Sequence, residues 1–398
     1  MVNTIRTLSD GDITREALRI LKNSNNTLKS VNRQYDDRFA VQGAKNGGTL
    51  QIRQPNRYTV GTGKTITPQD TVENITPLVI ATQNHVPVQF YSSELTLSLD
   101  DFSDRILKPA MSVLGSYVSA GVATAMGVGF HQLVGTPGTT PSTFLTYAQA
   151  GEYLDWQTAP RDSYRSLLLN PSSMAATVDA QKGLLAPQSA IGSQYEDGVI
   201  DAMTGFNFRM DQGLPTITCG ARASYTTHGT ATLVSGTNSL AIITGTGTIK
   251  AGEVFTIAGV YEINPDTKAS TGRLKQFVVS ADYAGGAGSI TLGQIIYTSG
   301  AYQNVSAAIP VSTALTFVGT AATAYPRNFA IHRDSVVLAT ADLELPKGVD
   351  MASRAQMDGL SLRFVRSYDV TNDNFIGRFD ILWGVKVVRP EWGVQIIG

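Results

Sequence analysis

Hydrophobic positions in the first part of the chain recur at two different spacings. Near-helical spacing predicts an amphipathic helix over residues 9–30, capped by an acid, with apolar positions Ile13, Ala17, Ile20, Leu21 and Leu28. Residues 48–91 instead show a broken alternation around a polar, turn-rich centre, VGTGKTITPQD at 60–70. This predicts a long two-stranded ribbon whose return strand carries Val86, Val88 and Phe90. An isolated hairpin is marginally stable at best, so we expect the ribbon to lean on a neighbouring chain.

A wide apolar stripe at helical spacing follows the ribbon and predicts a long helix over about 100–127. Ser98 to Asp101 supply capping groups and acids at its start. The stripe is formed by Ile106, Leu107, Ala110, Val113, Leu114, Tyr117, Val118, Gly121, Val122 and Ala125. Residues 145–222 then mix helix and strand patterns, and alternating strands return after Phe329.

The composition changes sharply at about residue 222. Residues 223–325 hold eight charged side chains, and Thr, Ala, Gly and Ser dominate. Short strand patterns between Gly-rich turns predict a small all-β barrel or sandwich inserted into the mixed region. The strands are expected near 231–234, 239–243, 253–263, 274–280, 289–297 and 311–318.

Charge and cysteine content exclude several classes of protein. The 398 residues have a net charge of -1, which is not the basic balance of a dedicated nucleic-acid reader. Cys219 is the single cysteine, so neither an intramolecular disulfide nor a cysteine zinc site is possible. The first residues lack the apolar core of a secretory signal, and we expect no run approaching the ~20 apolar residues of a membrane span.

Candidate chemistry is weak throughout the sequence. GTGKT at 61–65 lacks the first glycine of a phosphate loop and no helix is expected after it, so a solvated hairpin tip is favoured. Asp100, Asp101 and Asp104 fit a helix start better than a metal site. DVTNDN at 369–374 lacks the glycine and distal glutamate of a calcium loop. The four histidines are scattered, and Cys219 lacks charged neighbours in sequence. We therefore expect no catalytic residue, no metal, no cofactor and no enzymatic activity.

Three segments carry a resemblance to a known family. LDDFSDRILKPAMSVLGSYVSAGVATAMG, TIKAGEVFTIAGV (248–260) and LWGVKVVRPEWGVQI (382–396) resemble the coat protein of the P-22 group of short-tailed phages. The last segment shares the pattern of Gly384, Val385, Arg389, Pro390 and Glu391. The order of parts also resembles the Hong Kong 97-type capsid fold, an α+β class with an inserted all-β domain. The resemblance covers nearly the whole chain but is sparse outside these segments.

The resemblance implies a division of the chain and a set of partners. The expected parts are an N-terminal arm (1–47), an E-loop ribbon (48–91), a spine helix with part of the peripheral domain (92–144), a first part of the axial domain (145–222), the inserted domain (223–325) and C-terminal strands of the axial and peripheral domains (326–398). Subunits would form pentamers and hexamers of an icosahedral head that encloses double-stranded DNA. A scaffolding protein, a portal protein and possible decoration proteins would be partners, with assembly in the bacterial cytoplasm and no membrane.

Charged residues are the candidate contacts between subunits. Arg53, Arg57 and Lys64 are expected in ribbon salt bridges, each contributing ~0–1 kcal/mol if exposed. Some shells of this plan join Lys and Asn side chains covalently, and Lys64 lies where such a lysine would be, although a solvated lysine is favoured. Within the insert, whose charges cluster over Glu262–Lys275, the candidates are Glu262, Lys268, Arg273 and Lys275. The alternatives are an encapsulin-like cargo compartment, a secreted β-rich adhesin or tail component, and an enzyme.

Overall fold

The computed structural model of the chain describes residues 10–24, 26–35, 48–61, 63–64, 68–69, 74–91, 103–181, 202–230, 232–357, 359–371 and 374–398. The chain divides into two compact units. Unit 1 contains Met1–Ile52, Thr76–Val122 and Val337–Lys386, and unit 2 contains Arg53–Ile75, Ala123–Val336 and Val387–Gly398.

Both units mix helices and strands, which confirms the α+β class. The α-helices are α1 Asp10–Ser24, α2 Asn26–Ser30, α3 Lys108–Gly129, α4 Phe144–Trp156 and α5 Pro171–Gln181. The strands are β1 Asn32–Tyr35, β2 Gly48–Arg53, β3 Ile75–Ile80, β4 Thr82–Tyr91, β5 Gln132–Val134, β6 Arg165–Leu169, β7 Ala202–Met203, β8 Phe206–Met210, β9 Thr216–Thr218, β10 Thr226–Thr227, β11 Thr237–Ile243, β12 Val254–Ile263, β13 Ser270–Val278, β14 Gly288–Ile296, β15 Leu315–Phe317, β16 Ala324–His332, β17 Val336–Ala341, β18 Met351–Met357, β19 Leu360–Asp369, β20 Asn374–Val387 and β21 Gly393–Ile397.

Unit 1 is built on a six-stranded sheet. Its order is β1-β17-β20-β19-β18, and β4 pairs with β20 as the sixth strand. The predicted amphipathic helix is confirmed, because α1 packs on β18 and β19 and buries Ile13, Ala17, Leu18 and Leu21. These positions recur three and four residues apart, as one helix face requires. The span predicted as one helix to residue 30 contains α1 and α2, and β1 follows at Asn32–Tyr35.

A two-stranded sheet lies within the predicted ribbon, but the return strand expected for it is wrong. The strand that pairs with β2 is β3, not the segment carrying Val86, Val88 and Phe90. That segment is β4, which pairs antiparallel with β20 over ten residues, from Asn374↔Tyr91 to Trp383↔Thr82. Alternating side chains mark a strand that has one buried face, and they do not reveal which strand lies beside it.

The long helix begins with a π-helical turn, Ser103–Leu107, and continues as α3. Pro109 lies in the first turn of α3, where its missing N–H costs no hydrogen bond. Half of the ten predicted stripe residues are buried and three are half-buried, but Val113 and Tyr117 are exposed, so the buried stripe is narrower than expected. Gly121 is needed for packing, since a Cβ there would lie 2.5 Å from the ring of Trp383. The expected caps Ser98–Asp101 lie outside the described residues.

The stretch Arg105–Gly129 is long and apolar enough to cross a membrane, judged by length and composition. By the criteria of length and composition, the expectation that the chain has no such segment is therefore wrong. Half of its most apolar window is buried inside the protein, and core helices pass the same test.

Unit 2 contains a seven-stranded sheet of order β5-β21-β16-β6-β8-β7, with β9 also paired to β16. Helices α4 and α5 and strand β6 agree with the mixture of helix and strand patterns predicted from residue 145 onward. Tyr147 and Leu154 of α4 pack with Leu167, Phe206 and Ile396 in one buried cluster. Residues 182–201, also within the span predicted to mix helix and strand, lie outside the described residues.

Strands β10 to β15 form a second part of unit 2, here called the β-module (226–317). They make two three-stranded sheets, β10-β11-β14 and β13-β12-β15. Buried side chains from both sheets form an apolar core, which includes Phe255 stacked on Phe277 at 5.5 Å between ring centroids. Five of the six predicted strands are found, whereas 232–234 is irregular. That the β-module is an inserted domain with boundaries 223–325 stays a prediction.

Candidate interaction site

The ribbon stays ordered beyond its two strands because side chains replace the strand pairing. The backbone N–H of Gln54 donates to the carbonyl of Asn74 at 2.9 Å. Further from β2 and β3, the side-chain amide of Gln69 makes two hydrogen bonds with the backbone of Thr59. Its Oε1 accepts from the Thr59 N–H at 2.9 Å, and its Nε2 donates to the Thr59 carbonyl at 2.6 Å. The two legs of the ribbon are therefore held together as far as residues 59 and 69.

Apolar side chains project from this outer part of the ribbon. Tyr58 is 57% exposed and Val60 is 93% exposed. Sequence reasoning missed them as contact candidates because it searched the ribbon for charges. The available signal was an apolar pair inside an otherwise polar, turn-rich stretch.

The three charged ribbon candidates have different environments. Arg57 forms an ion pair with Glu391 of its own chain, with Nη2 2.8 Å from Oε1. Close by, Gln54 donates to the Val388 carbonyl at 2.8 Å. Arg53 is exposed and already makes an interaction within the chain, whereas Lys64 is exposed near the ribbon tip. Contact with a neighbouring chain therefore stays a prediction for all three, and Arg57 already has a carboxylate partner.

Glu262 and Lys275 do not reach the subunit surface, which corrects the expectation that they meet a neighbouring subunit. Both side chains are almost fully buried, and the Lys275 Nζ lies 3.1 Å from Glu262 Oε1. The same Nζ lies 3.0 Å from Nε2 of the buried His131. The sequence does not show whether such a pair is buried or solvated, because His131, which contacts Lys275, lies far away in the chain.

Burial and charge shift the pKa values of this cluster in a consistent way. Burial and the neighbouring Lys275 ammonium lower the pKa of His131 to about 4. Burial by itself would raise the pKa of Glu262, but the charge of the Lys275 ammonium outweighs it and lowers the pKa to about 2.

Lys268 and Arg273 are likewise engaged within the chain. Lys268 Nζ donates to the Ala301 carbonyl at 2.5 Å, and partial burial together with the nearby Arg57 lowers its pKa. Arg273 forms an ion pair with Glu152 of α4, and its guanidinium lies 4.5 Å from the ring centroid of Tyr153. Their contact with a neighbouring subunit stays a prediction.

Cys219 is buried, and charged groups act on its thiol that its immediate sequence neighbours did not indicate. Burial raises the pKa of its thiol, as does Glu253, while Arg222 and Arg327 act in the opposite direction. Glu253 is fully buried and accepts from the N–H groups of Gly220 and Lys250, each at 2.7 Å. Its second oxygen lies 2.7 Å from Arg222 Nε. Sequence reasoning missed this buried centre because Glu253 and Arg327 lie far from Cys219 in the chain, although Arg222 is close.

In the part of the chain that the structure describes, the side chains that could ligate a metal ion are dispersed. Within the described ranges, no three His, Cys, Asp or Glu side chains are grouped to hold a metal ion. His332 Nδ1 accepts from the Asp334 N–H at 3.3 Å, and Nε2 faces Asp162 at 3.2 Å. Both ring nitrogens are thus used. The described part of GTGKT (Gly61, Gly63, Lys64) is irregular, and the next described element is β3.

One family matches most of the chain. Residues 50–398 match the family described as P22 coat protein - gene protein 5. No curated protein matches the chain significantly.

Several solved structures are similar in fold at low sequence identity. A chain of Mycobacterium phage Che8 is 10% identical, with a TM-score of 0.45, 93% of this chain covered and 90% of that chain. The mature capsid of bacteriophage PhiM1 is 8% identical, with a TM-score of 0.44 and coverages of 92% and 85%. A virus-like particle from Pyrococcus furiosus is 8% identical, with a TM-score of 0.38 and coverages of 97% and 97%.

Proposed function

This chain belongs to the P22 coat protein family and is a major capsid protein, and from that premise we propose that its subunits form the pentamers and hexamers of an icosahedral phage head. Its role is structural, and its place is the capsid of the virion, where many copies build one shell. The mixed helix and sheet structure is consistent with the Hong Kong 97-type fold, and this supports the proposal.

The observation that carries the proposal is the ribbon. It is a two-stranded sheet with an extension braced by Gln69, and this extension carries the exposed apolar side chains of Tyr58 and Val60. A two-stranded ribbon in water gains little from its own pairing. An apolar residue exposed at its outer end therefore favours burial on another copy of the chain.

The contact we propose is apolar at Tyr58 and Val60, with Lys64 at its rim. Burying apolar surface contributes about 25 cal/mol per Å², so a valine that passes from nearly full exposure to burial contributes about 1.5–3 kcal/mol. A rim ion pair made by Lys64 contributes about 0–1 kcal/mol. Because a shell repeats the contact in every subunit, a modest loss per contact becomes a large loss of assembly.

The direct test is Val60→Asp in the full-length chain expressed with a scaffolding protein. We expect a soluble, folded subunit by circular dichroism that forms no closed shells in electron microscopy. Val234→Asp is the matched control, since Val234 is 73% exposed on the β-module and receives the same charge. Deleting residues 55–70 should also abolish shells and leave a folded subunit. Normal shells from Val60→Asp would refute the ribbon contact.

The remaining partners are proposed from family membership. A scaffolding protein would guide assembly in the bacterial cytoplasm, a portal protein would occupy one vertex, and decoration proteins are possible additions. Packaged double-stranded DNA would be bound without sequence preference, as the net charge of -1 suggests. A cargo-enclosing compartment is the alternative function, and particles that hold nuclease-protected DNA would exclude it.

A further inference from the structure

Within unit 2, the β12–β13 hairpin of the β-module lies against the edge of the seven-stranded sheet. The edge strand is β5, and the side chain of Gln276 on β13 forms hydrogen bonds with the backbone of Leu133 in this strand. The Oε1 of Gln276 accepts from the Leu133 N–H at 2.6 Å, and its Nε2 donates to the Leu133 carbonyl at 2.9 Å. One side chain thus takes the place of a neighbouring strand.

A buried charge cluster stands directly beside this junction. Lys275 Nζ lies between Glu262 Oε1 at 3.1 Å and His131 Nε2 at 3.0 Å. An ammonium group can only donate, so His131 Nε2 is the acceptor and the imidazole proton sits on Nδ1. The cluster then holds one cation, one anion and a neutral ring, which is the balance a buried site requires.

In the described part of the chain, Glu391 and Tyr153 are the further titratable groups that interact with this cluster. Gln132 Nε2 lies 3.4 Å from Glu262 Oε1, and Glu391 acts on the ring from further away. Tyr153 of α4 faces the Glu262 carboxylate, which together with burial raises the pKa of the phenol. Among the described residues, Glu262 is the single carboxylate within 4 Å of the ring. It must therefore balance any further positive charge by itself.

We propose that His131, Glu262 and Lys275 form an acid-operated latch, in which protonation of His131 releases the β12–β13 edge of the β-module from β5. A protonated Nε2 can no longer accept from Lys275. It also brings a second cation within 3.0 Å of the ammonium, opposite a single carboxylate. In a fully buried site this repulsion is relieved by separating β13 from β5, after which both cations are hydrated.

The titration of the cluster has the sign that a latch requires. The pKa of His131 is about 4 in the closed state, below its ordinary 6.5, so the closed state loses stability as pH falls from 6.5 to 4. The pKa of Glu262 is about 2 rather than 4.5, so its contribution is lost at still lower pH. If the pKa of His131 is 6.5 in the open state, protonation of His131 alone raises the equilibrium constant for opening by about 20-fold between pH 7 and pH 5.

The chain carries its own reporter of this opening. Cys219 is the single cysteine, is 3% exposed, and packs with Leu133 and Val278 across the same junction. The experiment measures the labelling rate of Cys219 by 4,4′-dithiodipyridine, which reacts with thiols in mild acid, in the purified full-length chain from about pH 7 to about pH 4.5, the range over which the imidazole titrates. Rates are divided by those of a free-thiol peptide at each pH, and circular dichroism follows the fold.

We expect the normalised rate to rise about 20-fold by pH 5 without loss of the dichroism signal. His131→Gln keeps an acceptor for Lys275 but cannot titrate, so its rate should stay flat. His85→Gln, at an exposed histidine of unit 1, is the control and should behave as the unmodified chain. A flat rate in the unmodified chain, an equal rise in His131→Gln, or a rise that accompanies global unfolding would each overturn the latch.

A second measurement covers the case in which His131→Gln does not fold. Hydrogen exchange of the Leu133 amide in the unmodified chain should accelerate with acid by the same factor, after correction for intrinsic exchange. The amides of β16, in the interior of the same sheet, should not change. Protection of Leu133 that persists through the acid range overturns the proposal.

Discussion

Replacing Glu253 by Gln removes one charge from the most enclosed ion pair of unit 2. The two side chains have nearly equal volume, so the substitution changes charge and hydrogen bonding while the packing is kept. The remaining Oε1 can still accept from the N–H groups of Gly220 and Lys250. The group facing Arg222 Nε becomes an amide N–H donor where a carboxylate oxygen stood 2.7 Å away. Arg222 is then a buried cation that faces a donor.

The expected cost follows from that geometry. Breaking a buried ion pair by removing one partner costs about 3–5 kcal/mol, because the other charge stays buried without compensation. Arg222 keeps hydrogen bonds to the carbonyls of Val318 and Gly319 at 3.2 and 3.0 Å, so we expect about 3 kcal/mol. Adding Arg222→Met should recover part of this loss, since the uncompensated charge is removed.

Urea unfolding followed by circular dichroism and by exchange of β-module amides measures the effect. With a slope of about 1–3 kcal/mol per M, the midpoint should fall by at least ~1 M. The control is Asp282→Asn, which breaks an exposed pair with Lys250 in the same region and should cost under ~1 kcal/mol. If Glu253→Gln shifts the midpoint no more than this control, the reasoning about the buried pair is refuted.

Two further substitutions test packing. Phe255→Ala should destabilise the β-module by about 3–5 kcal/mol in urea unfolding. The reason is that the Phe255 ring is fully buried and packs on Phe277 and Phe317. A loss of stability under ~1 kcal/mol would contradict this. Gly384→Ala should lower the thermal midpoint of the chain, because a Cβ there would lie 2.3 Å from the Val79 carbonyl oxygen, and an unchanged midpoint would show that β3 lies further away.

Local patterns in the sequence predicted most elements but not their partners. The helical spacing of Ile13, Ala17 and Leu21 placed α1 correctly, since that spacing reports a single buried face. The same reasoning over-extended the stripe of α3 to Val113 and Tyr117. An apolar side chain in sequence carries no mark of whether a partner covers it.

The candidate site was harder to predict for the same reason. The clustering of the insert's charges over Glu262–Lys275 favoured these two residues as contacts between subunits, and charged side chains are almost never fully buried unless they are paired. Their burial depends on His131, which lies more than a hundred residues earlier in the chain. Gly384 could be singled out from the sequence, but its reason, the close approach of the Val79 carbonyl, needed the fold.

The pairing of early strands with late ones sets a schedule for folding during synthesis. β1 pairs with β17, β4 with β20, and β5 with β21. Asn84 meets Trp383 across 299 positions of chain. At about 5–20 residues per second, a ribosome needs roughly 15–60 s to make that stretch. Throughout this interval β4 lacks the strand it pairs with in the finished fold, so the nascent subunit is an aggregation risk that the finished one is not.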